Sequence, residues 1–159
     1  MTNKFILLII SLFTLQLGWG QKLKTKDVPP RMITTLDKQF KGNKKARWEK
    51  VDSVYIVNFE LDDQKGKAEF QEKGRLLSTE ITVNKTEMPF SINHYLKKNY
   101  PDDDADVMIK MRDGEKNITF KIVIADDILV FDNDGRLVSK EKIPEEPAEN
   151  NNDTDQSEN

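Results

Sequence analysis

The feature that most constrains the fold is a turn motif, Phe-x-x-x-Gly-x-Leu, which the sequence contains twice. One copy runs from Phe131 to Leu137 around Asp-Asn-Asp-Gly, and the other runs from Phe70 to Leu76 around Gln-Glu-Lys-Gly. Phe131 ends an apolar run, and in each copy glycine can adopt the positive φ that a tight turn requires. The motif therefore predicts two β-hairpins that lie 61 residues apart.

Each hairpin is preceded at a matching distance by a predicted helix. Met88-Pro89 repeats Val28-Pro29 sixty positions later, and the apolar residues that follow each pair recur at helical spacing. These residues are Met32, Leu36 and Phe40 in the first segment and Ile92, Leu96 and Tyr100 in the second. Asp27 is the expected cap of the first helix, and Thr86 or Glu87 that of the second.

Alternating apolar residues then predict four strands after each helix. They span residues 46–51, 54–61, 67–71 and 75–83, and then a segment around 107–111 followed by 115–124, 128–131 and 136–142. Turns are expected at Asp52-Ser53, Asp62-Asp63, Asp113-Gly114 and Asp126-Asp127. The sequence thus predicts an α+β fold, a tandem repeat of one helix plus a four-stranded antiparallel sheet, with repeats at residues 28–85 and 86–143.

The first twenty residues have the pattern of a secretory signal peptide. Lys4 precedes an apolar run over residues 5–15, and Gly18-Trp19-Gly20 places small residues at the two positions that a signal peptidase reads. Cleavage is expected between Gly20 and Gln21, which leaves residues 21–27 as a lead-in. The alternative is an uncleaved anchor, but the apolar run is short for spanning a bilayer. We therefore expect a periplasmic or secreted protein with no stable membrane span after cleavage.

Charge and composition restrict the function further. Residues 144–159 hold six acids and no base, which predicts a disordered acidic tail. The remainder shows no basic stripe with interleaved aromatics, so nucleic-acid binding is not expected. The chain has no cysteine, which excludes disulfides, thiolate metal sites and a lipid-anchored N-terminal cysteine. Charged residues make up 33% of the chain and hydrophobic residues 36%, which favours a thin core under a sheet covered on one face.

The ordered set of motifs resembles a known family. It comprises Val28-Pro29 with its helix, Trp48-Glu49-Lys50, the hairpin into Tyr55 and Phe59, the glycine turn, and the restart at Met88-Pro89. Together these resemble the PepSY-like, beta-lactamase-inhibitor-like proteins secreted by Bacteroidota. The resemblance covers residues 27–142 and implies tandem helix-plus-sheet units outside the cytoplasm. It also implies a function that is largely unassigned, and a shape like that of an inhibitor whose concave sheet holds an enzyme.

Two acidic segments are candidate calcium ligands. Asp132 and Asp134 crowd a glycine turn, and Asp102 and Asp104 lie in an acidic loop after the second helix. The spacing of an EF-hand is missing, because glycine stands fourth after Asp132 rather than sixth and Ile143 occupies the twelfth position. A structural turn and a solvated loop are the alternatives. No metal site or other cofactor is expected.

Three aromatic residues, Trp48, Tyr55 and Phe59, are the candidate partner-binding residues, because aromatics on an open sheet face often anchor partners. The alternative is that they pack beneath the helix, since Tyr55 and Phe59 share the alternation of Val57 and Leu61. Catalysis is not expected. His94 is the only histidine, and no serine or other nucleophile stands beside a recognisable base.

These observations lead to a working hypothesis with one alternative. The chain is interpreted as a non-catalytic binding module of the cell envelope that holds a protein or peptide, in the manner of an inhibitor, through a sheet face. The alternative is a calcium-responsive or ion-buffering envelope protein that uses its acidic loops.

Overall fold

A computed structural model describes residues 20–144. Within them, nine strands in a mostly antiparallel arrangement accompany two α-helices. In chain order these are β1 (Gln21–Leu23), α1 (Pro30–Gln39), β2 (Lys44–Val51), β3 (Val54–Leu61), β4 (Gln64–Gln71), β5 (Leu76–Thr82), α2 (Phe90–Asn99), β6 (Ala105–Asp113), β7 (Ile118–Ile124), β8 (Asp127–Asp132) and β9 (Leu137–Lys142).

The chain divides into two compact units, and β6 is shared between them. The described part of the first unit comprises residues up to Val83 together with Lys110–Ile118, and that of the second comprises Asn84–Ile109 and the residues from Thr119 onward. The predicted repeats were continuous, with a boundary between residues 85 and 86. In the structure the first boundary lies two residues earlier, and the segment Lys110–Ile118 belongs to the first unit.

Helix α1 begins and ends where its sequence favours it. Pro29 and Pro30 occupy the N-cap and first helical positions, where a missing N–H costs nothing. Asp27 does not cap the helix as expected, because it belongs to a 3₁₀ turn at Thr25–Asp27. The amide of Phe40 closes the last turn on the carbonyl of Leu36.

Strands β2 to β5 of the first unit follow one another as antiparallel neighbours. The prediction for β3 is confirmed at both ends, and the Asp62-Asp63 turn is confirmed with both residues at positive φ. Strand β4 starts three residues earlier than predicted. Strand β1, in the segment interpreted as a lead-in, was missed, because three residues paired to the end of β2 have too little alternation to detect.

The core of the first unit lies between α1 and one face of these strands. Met32 and Leu36 of the helix are buried together with inward-facing residues of β2, β3 and β4, which are Trp48, Tyr55, Val57, Phe59, Ala68 and Phe70. Burying such side chains stabilises a fold by about 1.5–3 kcal/mol each before entropy is subtracted. Because side chains alternate along a strand, the opposite face of the sheet carries the residues between them.

The second unit has its own helix and core. A capping box joins Asn84 and Glu87 around a 3₁₀ turn at Lys85–Glu87, so the predicted capping residue Glu87 acts one turn before α2 itself. Strands β7, β8 and β9 pair antiparallel in chain order. Ile92 and Leu96 of α2 are buried with Phe120, Ile122, Leu129 and Phe131.

In each unit the start of the helix contacts the glycine turn. Arg31 Nη2 donates to the carbonyl of Glu72 at 3.2 Å, and Ser91 Oγ donates to the carbonyl of Asp134 at 2.9 Å. Gly74 and Gly135 have φ of +84° and +78°, and a Cβ on either would overlap the side chain of Arg31 or Ser91 respectively. The backbone angle therefore requires glycine in both turns. The close approach of the helix adds to this at Gly135, where the Ser91 Cβ is also in the way, whereas the Arg31 side chain beside Gly74 is exposed and can move.

One predicted turn is misplaced. Asp126-Asp127 was expected to form the turn between β7 and β8, but the loop consists of Ala125 and Asp126, and Asp127 pairs with Ile124 inside the ladder. Asp113-Gly114 is likewise part of a longer turn, in which Lys116 takes the positive φ, so that β7 begins at Ile118 rather than at residue 115.

Candidate functional site

The candidate site is the face of the first unit's sheet that points away from α1. Since Trp48, Val57 and Ala68 face the helix, their strand neighbours face the other way. This open face carries a mixture of charged, polar and aliphatic side chains that are half-buried or exposed, namely Arg47, Glu49, Ile56, Asn58, Lys67, Glu69 and Glu80.

The register of the strands places these residues side by side. Arg47 stands opposite Asn58 between β2 and β3, and Glu49 stands opposite Ile56. Ile56 in turn stands opposite Glu69 of β4. The result is an aliphatic residue at the centre of polar and charged neighbours, which is the composition of many protein-binding surfaces.

Lys67 is the centre of the ion pairs on the open face. Its Nζ lies 2.7 Å from Glu69 and 3.7 Å from Glu80. Partial burial lowers the pKa of Lys67, but the two carboxylates more than offset this, so its pKa stands above the ordinary value. The arrangement holds one cation between two acids, so one carboxylate charge in this group of three is not balanced by Lys67.

The three aromatic residues predicted to bind a partner do not lie on this face. Trp48, Tyr55 and Phe59 are 3%, 8% and 3% exposed and form part of the core. The Trp48 ring packs against Phe70 with centroids 5.7 Å apart, and the Phe59 ring packs against Phe40 at 4.7 Å. The prediction is corrected because these residues share the side of the sheet that α1 covers, which was the stated alternative.

The turn that contains Asp132 and Asp134 is held by hydrogen bonds to its own backbone. Asp132 Oδ1 accepts from the amides of Asp134 and Arg136, both at 2.9 Å. Arg136 Nη1 lies 3.6 Å from Asp132 Oδ2 and 3.0 Å from Asp134 Oδ2. Asp113 makes the same two amide contacts in its own turn, with the amides of Glu115 and Asn117. An aspartate at this position therefore serves the turn.

The acidic loop after α2 is also engaged locally. Asp104 pairs with Lys85 Nζ at 2.5 Å, and the pKa of Asp104 is lowered by that hydrogen bond and charge. Asp102 is exposed. Within residues 20–144, no group of three or more histidine, cysteine, aspartate or glutamate side chains converges as metal ligands would.

Sequence reasoning missed an ionic cluster in the second unit, in which a buried aspartate meets two exposed lysines. Asp127 is 4% exposed, and Tyr100 Oη donates to its Oδ2 at 2.7 Å. Lys140 Nζ lies 2.9 Å from the same oxygen, and Lys142 Nζ lies 3.1 Å from Oδ1. The hydrogen bond from Tyr100 and the contact with Lys140 hold the pKa of Asp127 far below its usual range, against the effect of burial.

The partners of Asp127 shift in the complementary direction. Burial raises the pKa of Tyr100. The contacts with Tyr100 and Asp127 raise the pKa of Lys140 above its usual value. These shifts keep Asp127 ionised and Lys140 and Tyr100 protonated, so the cluster holds β8, β9 and the end of α2 together. Two features of the sequence could have indicated this cluster. They are the lysines at alternate positions of β9, Lys140 and Lys142, and Tyr100, which stands at the position of Phe40 in the first repeat.

The two ends of the chain add little to the description of the candidate site. Gly20 and Gln21, the expected cleavage pair, precede and begin β1, whereas the apolar run before them and the acidic tail over residues 145–159 lie outside the described residues. Among residues 20–144, neither helix has the length and apolarity needed to cross a membrane.

Comparison with known proteins identifies the fold. No family model matches the sequence, and no curated protein matches it. The structure is similar to that of a BLIP-like protein from Bacteroides fragilis NCTC 9343, with a TM-score of 0.63 and 17% identity over 78% of this chain and 94% of that one. It is also similar to a DUF2874 family protein from Bacteroides uniformis ATCC 8492, with a TM-score of 0.62 and 11% identity over 73% and 90%.

A third similar structure comes from Bacteroides eggerthii DSM 20697, provisionally described as a periplasmic protein. Its TM-score is 0.63, with 12% identity over 73% of this chain and 89% of that one. Identities this low demonstrate a common fold only. The chain therefore has a BLIP-like fold that is mostly antiparallel sheet with two helices.

Proposed function

We propose that this protein is a non-catalytic binding module of the cell envelope that holds a protein or peptide on the open face of its first unit. The observation that carries the proposal is the open face itself. Ile56 is surrounded by Arg47, Glu49, Asn58 and Glu69, while α1 packs on the other side of the sheet. Such a surface offers aliphatic area for burial and charges for orientation, but no nucleophile paired with a base.

The likeness to BLIP-like structures supports this proposal in a limited way. A shared fold does not show that two proteins bind the same partner. Inhibition of an enzyme is therefore only one form that the binding could take. The partner is defined by chemistry instead. It should present an apolar side chain toward Ile56 and a basic group toward Glu69 and Glu80, whose charges exceed that of Lys67.

We infer an envelope location from two independent features. The first twenty residues have the pattern of a cleavable signal peptide, and one structural neighbour is provisionally described as periplasmic. The family suggested by the sequence, PepSY-like and secreted, agrees with both. The chain contains no cysteine, so a module placed there would be stabilised without disulfide bonds.

We also propose that the two units descend from one duplicated helix-plus-four-strand unit. Four strands follow each helix, and the matching residues Arg31 and Ser91 at the helix starts each donate to a carbonyl of the glycine turn, that of Glu72 and that of Asp134. Gly66 in the first unit and Asp127 in the second stand at corresponding positions, and divergence after duplication explains why these two residues differ.

Site-specific photocrosslinking tests the binding proposal. A photoreactive amino acid is placed at Asn58 on the open face, and a matched control is placed at Thr34, which is exposed on α1. After irradiation in envelope extract from the source cells, we expect one dominant adduct from position 58 that position 34 does not give. Identical adducts from both positions, or no adduct at 58, would contradict the assignment of the site.

A further inference from the structure

The second unit has a strand edge whose backbone is free to pair. Among residues 20–144, β9 pairs only with β8. The amide of Ile143 donates to the carbonyl of Asp126, and along an antiparallel strand the residues that bond to the neighbour alternate with residues whose backbone faces away from it. Counting back from Ile143, Lys142 and Lys140 therefore present their N–H and C=O groups outward.

We call this element the β9 edge and define it as residues 137–143. It carries Leu137, Val138 and Ile143, which are 39%, 40% and 42% exposed and are three of the five most exposed large apolar side chains within residues 20–144. Unpaired backbone groups beside exposed apolar side chains make a strand edge a template for another extended segment. The edge therefore combines both features of a strand-docking site.

The charges of the β9 edge differ between its two faces. Lys140 stands opposite the buried Leu129, and Lys142 stands opposite the buried Asp127, so both lysines lie on the face that points to the core, at its rim. Glu141 lies on the other face. The two lysines share the single carboxylate of Asp127, whose Oδ1 accepts no hydrogen bond from the described residues. One positive charge of this group is therefore left to attract a carboxylate.

A second copy of β9 fits this edge poorly. Antiparallel pairing of two copies about Lys140, Glu141 or Lys142 sets a lysine of one copy opposite a lysine of the other. Like charges that stand directly opposite one another destabilise a strand pair. The charge pattern thus opposes self-association and favours a strand that carries acids where β9 carries lysines.

We propose that the β9 edge binds an extended peptide segment of another protein as an added strand, and that this segment carries carboxylates at alternate positions. Residues of the added strand that bond to the backbone of Lys140 and Lys142 stand directly opposite them, so acidic side chains there meet the two ammonium groups. Main-chain hydrogen bonds supply affinity, and the alternate side chains supply specificity. The inference is independent of the binding proposed for the open face, because β9 belongs to the second unit.

Hydrogen exchange followed by NMR tests the added strand in the full chain as it is recovered after export. The probe is the peptide acetyl-Thr-Val-Glu-Val-Glu-Val-Thr-amide at millimolar concentration. Without peptide the amides of Lys140 and Lys142 should exchange rapidly, and with it they should exchange at least about tenfold more slowly. A peptide with lysine in place of both glutamates should give no slowing. A peptide with both glutamate amides N-methylated should also give none, because it keeps the charge but cannot donate the strand hydrogen bonds.

Three results would overturn the proposal. Equal exchange with and without the acidic peptide would exclude binding, and slowing by the N-methylated peptide would reduce the contact to charge attraction. Spectral changes centred on Asn58 would place the peptide on the open face instead. Slow exchange of Lys140 and Lys142 in a dimer without peptide would overturn it as well, because a second copy would then occupy the edge.

Lys142→Pro and Lys142→Ala form a matched pair of variants. Both remove the lysine side chain, but only proline removes the outward N–H, and proline is tolerated on strand edges whose N–H faces solvent. We expect Lys142→Pro to bind the acidic peptide about fivefold more weakly than Lys142→Ala, because one hydrogen bond is lost. Equal affinities would overturn strand pairing at this residue, and the N-methylated peptide keeps the test valid if Lys142→Pro fails to fold.

Discussion

Ser91 and Gly135 lie so close that residue 135 has no room for a side chain. The Ser91 Oγ donates to the carbonyl of Asp134 at 2.9 Å and occupies the space that a Cβ of residue 135 would need. This contact joins the first turn of α2 to the turn between β8 and β9, and it explains why the motif keeps glycine there.

Gly135→Ala should therefore destabilise the second unit in two ways. The positive φ costs an L-residue about 1–2 kcal/mol, and displacing Ser91 breaks a hydrogen bond that contributes about 1 kcal/mol. We expect a total loss of about 2–3 kcal/mol in chemical denaturation. Gly42→Ala is the control, because Gly42 has φ of +89° with no neighbour within 4 Å. Equal losses for the two variants would refute the role of Ser91.

Phe59 and Gly66 provide a second packing test. They face one another between β3 and β4, and a Cβ at residue 66 would overlap the Phe59 ring. Phe59→Ala should cost about 3–5 kcal/mol, and Gly66→Ala alone about 1–3 kcal/mol. In the double variant the added methyl group enters the vacated space, so its cost should shrink or change sign. Strict additivity in the double-mutant cycle would show that the two residues are not coupled.

The core position of Phe59 also separates it from the open face. Asn58→Ala, one residue away on the other side of the strand, should change stability by less than about 0.5 kcal/mol. Thermal unfolding of Asn58→Ala beside Phe59→Ala measures the contrast. A large loss of stability from Asn58→Ala would mean that this face is packed rather than open.

The Asp127 cluster should make stability fall in acid. The pKa of Asp127 is lowered in the folded protein, so its contribution is complete above the ordinary aspartate pKa and is lost as pH falls toward the folded value. The unfolding free energy should therefore decrease below about pH 5, and less steeply in Asp127→Asn. Parallel pH profiles for both proteins, measured by denaturant titration, would exclude Asp127 as a source of the acid sensitivity.

Calcium should not stabilise the protein through its acidic turn. Asp132 Oδ1 already accepts two backbone amides, and Arg136 lies beside the carboxylates of Asp132 and Asp134. We expect no saturable thermal shift at millimolar calcium beyond that given by magnesium. A saturable shift that is lost in Asp134→Asn would revive the calcium-responsive alternative.

Local patterns predicted much of the secondary structure, because they depend on neighbouring residues. The alternation of Tyr55, Val57 and Phe59 located β3 at both ends, and the helix positions followed from Met32, Leu36 and their counterparts. The predictions that failed depend on contacts between residues that are far apart in the sequence. Alternation alone does not tell which face a helix covers, so Trp48 was left between core and surface.

The candidate site was harder to predict for the same reason. The open face consists of ordinary residues such as Ile56 and Lys67, whose significance arises only when the strand register places them together. Asp127 was assigned to a turn because two aspartates in succession usually signal one, but a shift of one residue placed it inside the ladder. Its three cationic or phenolic partners lie 13 to 27 residues away.

Binding of a partner at the open face is measured by the affinity for the partner that crosslinking captures. The measurement is the dissociation constant of Ile56→Asp and Glu80→Lys beside the exposed-helix control Thr34→Asp. We expect the first two variants to bind at least about tenfold more weakly, by about 1.4 kcal/mol, with retained thermal stability, and the control to bind as before. Unchanged affinity in both open-face variants would exclude the open face as the binding site.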